Sequence, residues 1–432
     1  MHPAAAARAR LAAADLVRSF GLAADEVVDL HDSNRLTARL LPCDLVARIG
    51  PAELGGSQVE VDRALRLLEA GAPVGPLDPR VPPQVHLRDG FEITLWSHLP
   101  SNPRPELPPE EYADAFVRLH AAMREAQLEV PPFSHRVTSA LDLLEDPERT
   151  PRLTDPDRAA LRDALRELGG RISRSGTQQP LHGEPHPGNL LDTPGGPLFI
   201  DLETCCSGPV EFDLAHAPAQ VAEHYPGVDA ELLADCRILS RAIATTWRWD
   251  REDSLPDGEL LGIGWLDQVR ALRARPRRST QPTLTIVCGL PGSGKTSAAD
   301  AIVEATGAMR LSPDDWMARL GVSLWDEGLR ERIEQLQWQI GQELLEQRAD
   351  VVIEWGTWGR GERDRLREDA RALGARVELI VLDAEDEELW RRISARGAED
   401  PPLTREHLAG YRAAFERPTP EELALFDPPQ RL

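Results

Sequence analysis

Gly289-Leu-Pro-Gly-Ser-Gly294-Lys295-Thr296 decides how the C-terminal part of this chain folds. The run fits the G-x-x-x-x-G-K-[ST] pattern of a phosphate-binding loop, and each residue type answers a physical need. Glycines let backbone N–H groups turn inward around phosphate oxygens, and the N-terminus of the next helix adds the positive end of its dipole. The lysine reaches the β and γ phosphates as a compact charge, while the Thr hydroxyl can ligate Mg²⁺. Gly289, Gly292, Ser293, Gly294, Lys295 and Thr296 are therefore candidate nucleotide-binding residues, with Thr296 also a candidate metal ligand. A strand is expected over Leu284–Cys288 and a helix over Thr296–Thr306, the context that the motif requires. A Gly-rich turn that merely joins strand to helix would need no particular lysine. Yet 48 of the 49 basic residues are arginine, and the only lysine of the chain is Lys295.

Outward from this loop the pattern alternates. Ala308–Leu311, Val351–Trp355 and Arg376–Leu382 read as buried strands. Leu329–Gln347, Glu362–Leu373 and Asp386–Arg396 read as helices. Such alternation predicts an α/β P-loop domain, over 282–432, with a parallel sheet covered on both faces. Asp314 and Asp315 follow the second strand, beside the phosphate loop, where a carboxylate can take a proton from an attacking hydroxyl or simply cap the next helix. Arg392 and Arg396 lie four apart on one helix face. That face can close over a transferring phosphate, or be an ordinary solvated surface.

Upstream, Arg273–Pro282 carries four Arg and two Pro without an apolar pattern, so 273–281 reads as a linker. Before it, 1–272 reads as one α+β bilobed unit. An N-terminal helix stops at Gly21. Strands are expected over Val27–His31, Leu36–Leu41, Leu45–Ile49, Gln84–Leu87 and Phe91–Trp96, with a helix over Gly55–Ala70. Pro100–Pro109 is a connector to a helical part: Glu110–Gln127, Val137–Leu144, Asp155–Ser175, Val210–Glu223 and Ala230–Trp249. Within it stands His182-Gly-Glu184-Pro-His-Pro-Gly-Asn189, followed by Leu198-Phe-Ile-Asp201-Leu-Glu203. A carboxylate, an amide five residues on and an acid after a short strand can converge at one loop. That set suits a base, Glu184, and two hard oxygen ligands for Mg²⁺, Asn189 and Asp201. The chain has only three asparagines, and one falls here.

These residues carry two resemblances. The N-terminal unit, over roughly Val27–Leu272, resembles the aminoglycoside phosphotransferase and choline kinase family, relatives of protein kinases. The resemblance implies that Arg48 in Leu45-Val-Ala-Arg48 holds the phosphates, with Glu60 as its orienting partner. It also implies an adenine hinge at Ile93–Leu99 and an anchoring segment, Gly208–Ala215, around Asp213. Two residues depart from the family pattern: Arg48 stands for Lys, a fork in place of a point charge, and Glu184 stands for Asp. The C-terminal part, over most of Leu284–Phe415, resembles the small P-loop kinases grouped with polynucleotide kinase, zeta-type toxins and chloramphenicol phosphotransferase. This implies phosphoryl transfer to a hydroxyl, with Asp314 as base and Arg392 and Arg396 in a lid. Where those kinases often read Asp-Thr-Asn, this chain has Glu354-Trp-Gly-Thr357-Trp358. Glu354 then stands as the metal-side acid, and the aromatic pair suggests a different substrate pocket.

Composition narrows the partners. The net charge is −23, which repels phosphate backbones, so general nucleic-acid binding is not expected. No run approaches the length of a membrane span, and five cysteines without metal spacing suit a reducing cytoplasm. The expectation is an ATP- and Mg²⁺-dependent phosphotransferase with small-molecule acceptors, aminoglycoside- or sugar-like for the first unit. The alternative is an N-terminal pseudokinase that senses a ligand and regulates a C-terminal P-loop kinase or ATPase.

Overall fold

The computed structural model describes residues 1, 3–32, 35–100, 107–274, 281–396 and 401–429. Residues 101–106 of the expected connector and 275–280 of the expected linker lie outside the described residues. By their internal contacts the residues form two compact units, 1–142 with 165–240, and 143–164 with 241–432.

The first unit begins with helix α1 (Pro3–Ser19), whose Ala9, Ala12, Ala13 and Val17 are buried. Strands β1 (Ala24–Asp32), β2 (Leu36–Pro42) and β3 (Leu45–Pro51) follow, then helix α2 (Ser57–Glu69), β4 (His86–Arg88) and β5 (Phe91–Ser97). They form an antiparallel sheet in the order β1-β2-β3-β5-β4. The two-residue period of β3 buries Leu45, Ala47 and Ile49 in one core with α1. Arg48 therefore points to the opposite face. The sequence places a strand at Gln84–Leu87, but pairing starts only at His86, after Pro82 and Pro83, which lack an N–H to give.

Helices α3 (Pro109–Ala126), α4 (Ser134–Leu144) and α5 (Asp155–Ile172) come next, then β6 (Gln179–Leu181) and the hairpin β7 (Leu190–Thr193)–β8 (Gly196–Phe199). Strand β9 (Cys206–Gly208) pairs with β6, bracketing the loop that holds Glu184. The single helix expected over Val210–Glu223 is two short ones, α6 (Val210–Leu214) and α7 (Val221–His224). Pro218, between them, supplies no backbone donor. Helices α8 (Ala230–Arg248) and α9 (Gly258–Ala274) complete this stretch. Helix α9 escaped the sequence reading because its glycines lower helix propensity. They serve packing instead: a Cβ at Gly264 would stand 2.6 Å from both Trp316 and Ile340.

The second unit alternates as its sequence predicts. Besides α9, which falls within 241–432, its elements are β10 (Thr283–Gly289), α10 (Lys295–Thr306), β11 (Met309–Leu311), α11 (Pro313–Leu320), α12 (Glu327–Glu346), β12 (Val351–Ile353), α13 (Arg360–Ala372) and β13 (Arg376–Leu382). Helices α14 (Asp386–Arg396), α15 (Arg405–Ala414) and α16 (Pro420–Leu423) follow. All four strands are parallel, in the order β11-β12-β10-β13, so the phosphate loop leaves a central strand. Behind that edge lies a fully buried ion pair. Arg363 donates to Glu422 through Nε at 2.7 Å and Nη2 at 3.1 Å. Its Nη1 also donates to the carbonyls of Thr357 and Trp358, both at 2.9 Å.

Arg363→Met leaves the Glu422 carboxylate buried without its partner, a loss of about 3–5 kcal/mol for such a pair. The unfolding transition of the second unit, followed by calorimetry, should shift down. An unchanged transition would mean that the pair does not hold this loop.

Candidate active sites

The first site is built on one carboxylate. Asp213, at the end of α6, is fully buried and accepts from the N–H groups of His182 at 2.9 Å and Gly183 at 2.8 Å. His120 lies 3.0 Å from the same group. Burial opposes the Asp213 charge, but the bond from His120 and the charges and N–H around it hold the carboxyl below its ordinary range. Gly183 has φ +91, and a Cβ there would sit 2.1 Å from the Thr204 carbonyl oxygen. Only glycine fits this turn. The His182 ring donates through Nε2 to the Ile200 carbonyl at 2.9 Å, which leaves Nδ1 to accept from the Glu184 N–H at 3.4 Å. Burial keeps that ring neutral by lowering its pKa.

The expected residues gather around this turn. Arg48 donates to Glu60 and, at 3.2 Å, to Asp201. Burial outweighs Arg48 and pushes Glu60 up to about 7. Asp201 has φ +66, in the left-handed region that non-glycine residues rarely occupy outside sites under constraint. Arg63, buried on α2, fixes the turn behind it through the Leu202 and Glu203 carbonyls, both at 2.8 Å. The Asn189 amide donates to the Glu184 carbonyl at 2.9 Å, leaving its own oxygen for a ligand.

Two arginines here were not read from the sequence. Arg35 is buried and donates to Glu203 at 2.6 Å. Arg136, on α4, donates to the Gly183 carbonyl at 2.6 Å and to the Glu184 carboxylate. Burial would raise Glu184, but Arg136, His216 and His186 together take it below the ordinary carboxylate value. Nothing local distinguishes either residue in a chain with 48 arginines.

In the second unit Gly292 and Gly294 adopt φ +79 and +99, and a Cβ on Gly289 would lie 2.4 Å from the Leu382 carbonyl oxygen. Lys295 folds back to donate to the Leu290 carbonyl at 3.1 Å. Burial lowers its pKa; Glu354 and Asp314 favour its charge, and Arg396 opposes it. The Thr296 hydroxyl donates to Glu354, whose other oxygen lies 3.3 Å from Arg310. Burial raises Glu354 in spite of these partners. Asp314 accepts from Arg330 at 2.5 Å, and Asp315 accepts from Arg310. Arg392 donates to Glu388 at 2.6 Å and to the Gly292 carbonyl at 3.2 Å, placing α14 against the phosphate loop. Ser293 Oγ is buried without a hydrogen-bond partner and lies where a side chain on Gly289 would go, 2.6 Å from its Cβ position.

The aromatic pair needs correcting. Trp355 is not a pocket wall: it is buried and donates to Gln337 at 2.9 Å. It lies just past the end of β12, whose three residues are all buried, and its indole N–H is satisfied inside the core by Gln337. Trp358 is half-buried, donates to the Gly289 carbonyl at 3.3 Å and packs on Tyr411 at 4.9 Å between ring centres.

Comparison with known proteins matches each part of the chain to a family. The phosphotransferase enzyme family matches residues 19–251, and an AAA domain family matches residues 284–418. No curated protein sequence matches the chain. Among solved structures, a choline/ethanolamine kinase family protein from Mesorhizobium loti is 20% identical, covering 63% of this chain and 95% of its own, with TM-score 0.47. The choline kinase LicA from Streptococcus pneumoniae is 16% identical, covering 60% and 96%, with TM-score 0.45. A GDP complex of aminoglycoside 2′-phosphotransferase-IIIa is 14% identical, covering 60% and 97%, with TM-score 0.47. Among the described residues, no helix is long and apolar enough to cross a membrane. With more than half of its residues matched, the chain belongs to the phosphotransferase enzyme family and is an ATP-dependent phosphotransferase.

Proposed function

We propose that the chain is a bifunctional cytoplasmic kinase, moving the γ-phosphate of ATP to a small-molecule hydroxyl in each of two sites. The first site's residues lie within 1–272 and the second's within 282–432. One observation carries the reading for the first site: Glu184 and Asn189 are tied to the turn fixed by Asp213, the His182 ring of that turn bonds the Ile200 carbonyl, and the next residue, Asp201, meets Arg48. The relatives named above as choline kinase and aminoglycoside phosphotransferase support an amino-alcohol, aminoglycoside- or sugar-like acceptor there.

The donor sets fit Mg²⁺. Asn189 and Asp201 would hold it in the first site; Thr296 and Glu354 would in the second, where one Glu354 oxygen is buried without a hydrogen bond, with Arg310 at 3.3 Å as its ion-pair partner. Bound Mg²⁺ would neutralise charge on the phosphate oxygens. Arg48, oriented by Glu60, binds phosphate in the first site. Glu184 accepts the acceptor's proton. In the second site the Gly289–Thr296 loop and Lys295 bind the phosphates, Asp314 takes the proton, and Arg392 and Arg396 meet charge developing on the transferred group.

A second reading is favoured by one contact. Arg136 already engages the Glu184 carboxylate, as it would in a site that binds ATP without turnover and acts as a ligand sensor.

Calorimetry on the full chain should give two ATP equivalents, one of which Lys295→Ala removes. A single site abolished by that substitution would end the two-kinase reading. In an acceptor panel of aminoglycosides, sugars and amino alcohols, Glu184→Gln should lower kcat about 10²–10⁴-fold and leave ATP affinity intact. Asp201→Asn should also weaken Mg-ATP binding. Full activity of Glu184→Gln would remove it as base, and ATP binding without any turnover in the wild type would favour the sensor. For the second site, Asp314→Asn should stop transfer while ATP still binds. Arg392→Ala and Arg396→Ala should slow transfer toward the roughly 10³-fold loss of a missing arginine finger. Normal transfer by Asp314→Asn would pass the role to Asp315.

A further inference from the structure

The turn around Glu184 has its backbone fixed twice, by Asp213 on the N–H groups of His182 and Gly183 and by Asn189 on the Glu184 carbonyl. What remains free is the side chain. Glutamate has one methylene more than aspartate, which adds about 1.5 Å of reach and another rotatable bond. A displacement of about 1 Å at a reacting group can cost about 100-fold in rate. A base on this longer arm therefore needs its direction fixed by something outside the turn.

Arg136 meets that need. It lies in the first turn of α4, and its two terminal nitrogens grip consecutive residues. Nη1 donates to the Gly183 carbonyl at 2.6 Å, and Nη2 donates to Oε1 of Glu184. A guanidinium is planar, so these two bonds fix direction as well as distance. One end is anchored to backbone that Asp213 already holds, and the other end holds the carboxylate. The contact engages Oε1 and leaves the carboxylate its second oxygen as a proton acceptor.

We infer that Arg136 is a positioning residue, fixing the rotamer of Glu184 so that one carboxylate oxygen faces the acceptor hydroxyl. The inference rests on the reading of Glu184 as the base. As the acceptor oxygen bonds to the γ-phosphorus and the bond to ADP breaks, the hydroxyl proton passes to Glu184. Arg136 takes no part in that exchange. It is required because the base is a glutamate, and a shorter aspartate at the same place would not depend on it.

The test uses the full chain carrying Lys295→Ala, so that the first site alone turns over, with Mg-ATP as donor and water as acceptor, ADP release being read. Arg136→Gln should lower kcat about 10–100-fold with the KM for ATP unchanged, and Arg136→Lys should recover part of the loss. In a Glu184→Asp background, Arg136→Gln should change kcat by less than about threefold, because the coupling is between the two side chains. An equal loss in both backgrounds would make Arg136 a general prop and overturn the inference. If Glu184→Gln abolishes turnover while Arg136→Gln does not, the base stands and the positioning role falls. If Glu184→Gln turns over normally, the base itself is misassigned. A crystal structure of Arg136→Gln decides without any turnover. The backbone at His182 and Gly183 should stay in place while the Glu184 carboxylate swings away; a carboxylate that has not moved overturns the inference.

Discussion

A buried charge that cannot reach water governs the first site. Asp213 is withdrawn from solvent at a cost of several kcal/mol, and the cost is offset only where donors surround it completely. Two of its donors are successive backbone N–H groups, so satisfying the charge forces the chain at His182 and Gly183 into one turn. Everything chemical in the first site then hangs from that turn: Glu184 follows it by one residue, Asn189 ties back to it, and β9 pairs with β6 beside it. Loss of Asp213 would strand two amides as well as a histidine.

The second unit solves the same problem with different parts. Its phosphate loop is fixed by what cannot be there, since carbonyl oxygens of Leu382 and Leu389 stand where side chains on Gly289 and Gly292 would go. Arg363 then braces the neighbouring turn at Thr357 and Trp358, and Trp358 reaches the loop through the Gly289 carbonyl. Helix α9 covers α11 and α12 at the close approach of Gly264, so the helix that carries Asp314 in its first turn is packed from behind. In both sites rigid packing lies one layer beneath the polar groups of the candidate site.

What the sequence conveyed and what it withheld follow from range. The phosphate loop and the His182–Glu203 run are local: their residues are close in the chain and each holds one rare residue, Lys295 or Asn189, so pattern alone exposed them. Alternating strands and helices after Leu284 were legible for the same reason, as short continuous apolar runs separated by helical periodicity. Arg136 lies 48 residues before Glu184 and Arg35 lies 168 before Glu203. No spacing rule spans such gaps, and an arginine-rich composition hides both. Trp355 was misread because an aromatic next to the acid expected at the metal suggests a pocket. Its indole N–H finds a partner in Gln337 inside the core instead. Helix α9 was hidden by glycines whose purpose, close approach to Trp316 and Ile340, appears only in three dimensions.

The solitary lysine has a consequence for covalent chemistry. Every ε-amine reaction open to this protein converges on Lys295, the residue that reaches for phosphate. Its burial lowers its pKa, so a larger share is the neutral, nucleophilic amine at a given pH than for an ordinary surface lysine. Acetylation, glycation or an amine-directed reagent cannot decorate other lysines of this chain first. Each would strike the phosphate loop and no other lysine, removing one positive charge there while Arg392 and Arg310 keep theirs.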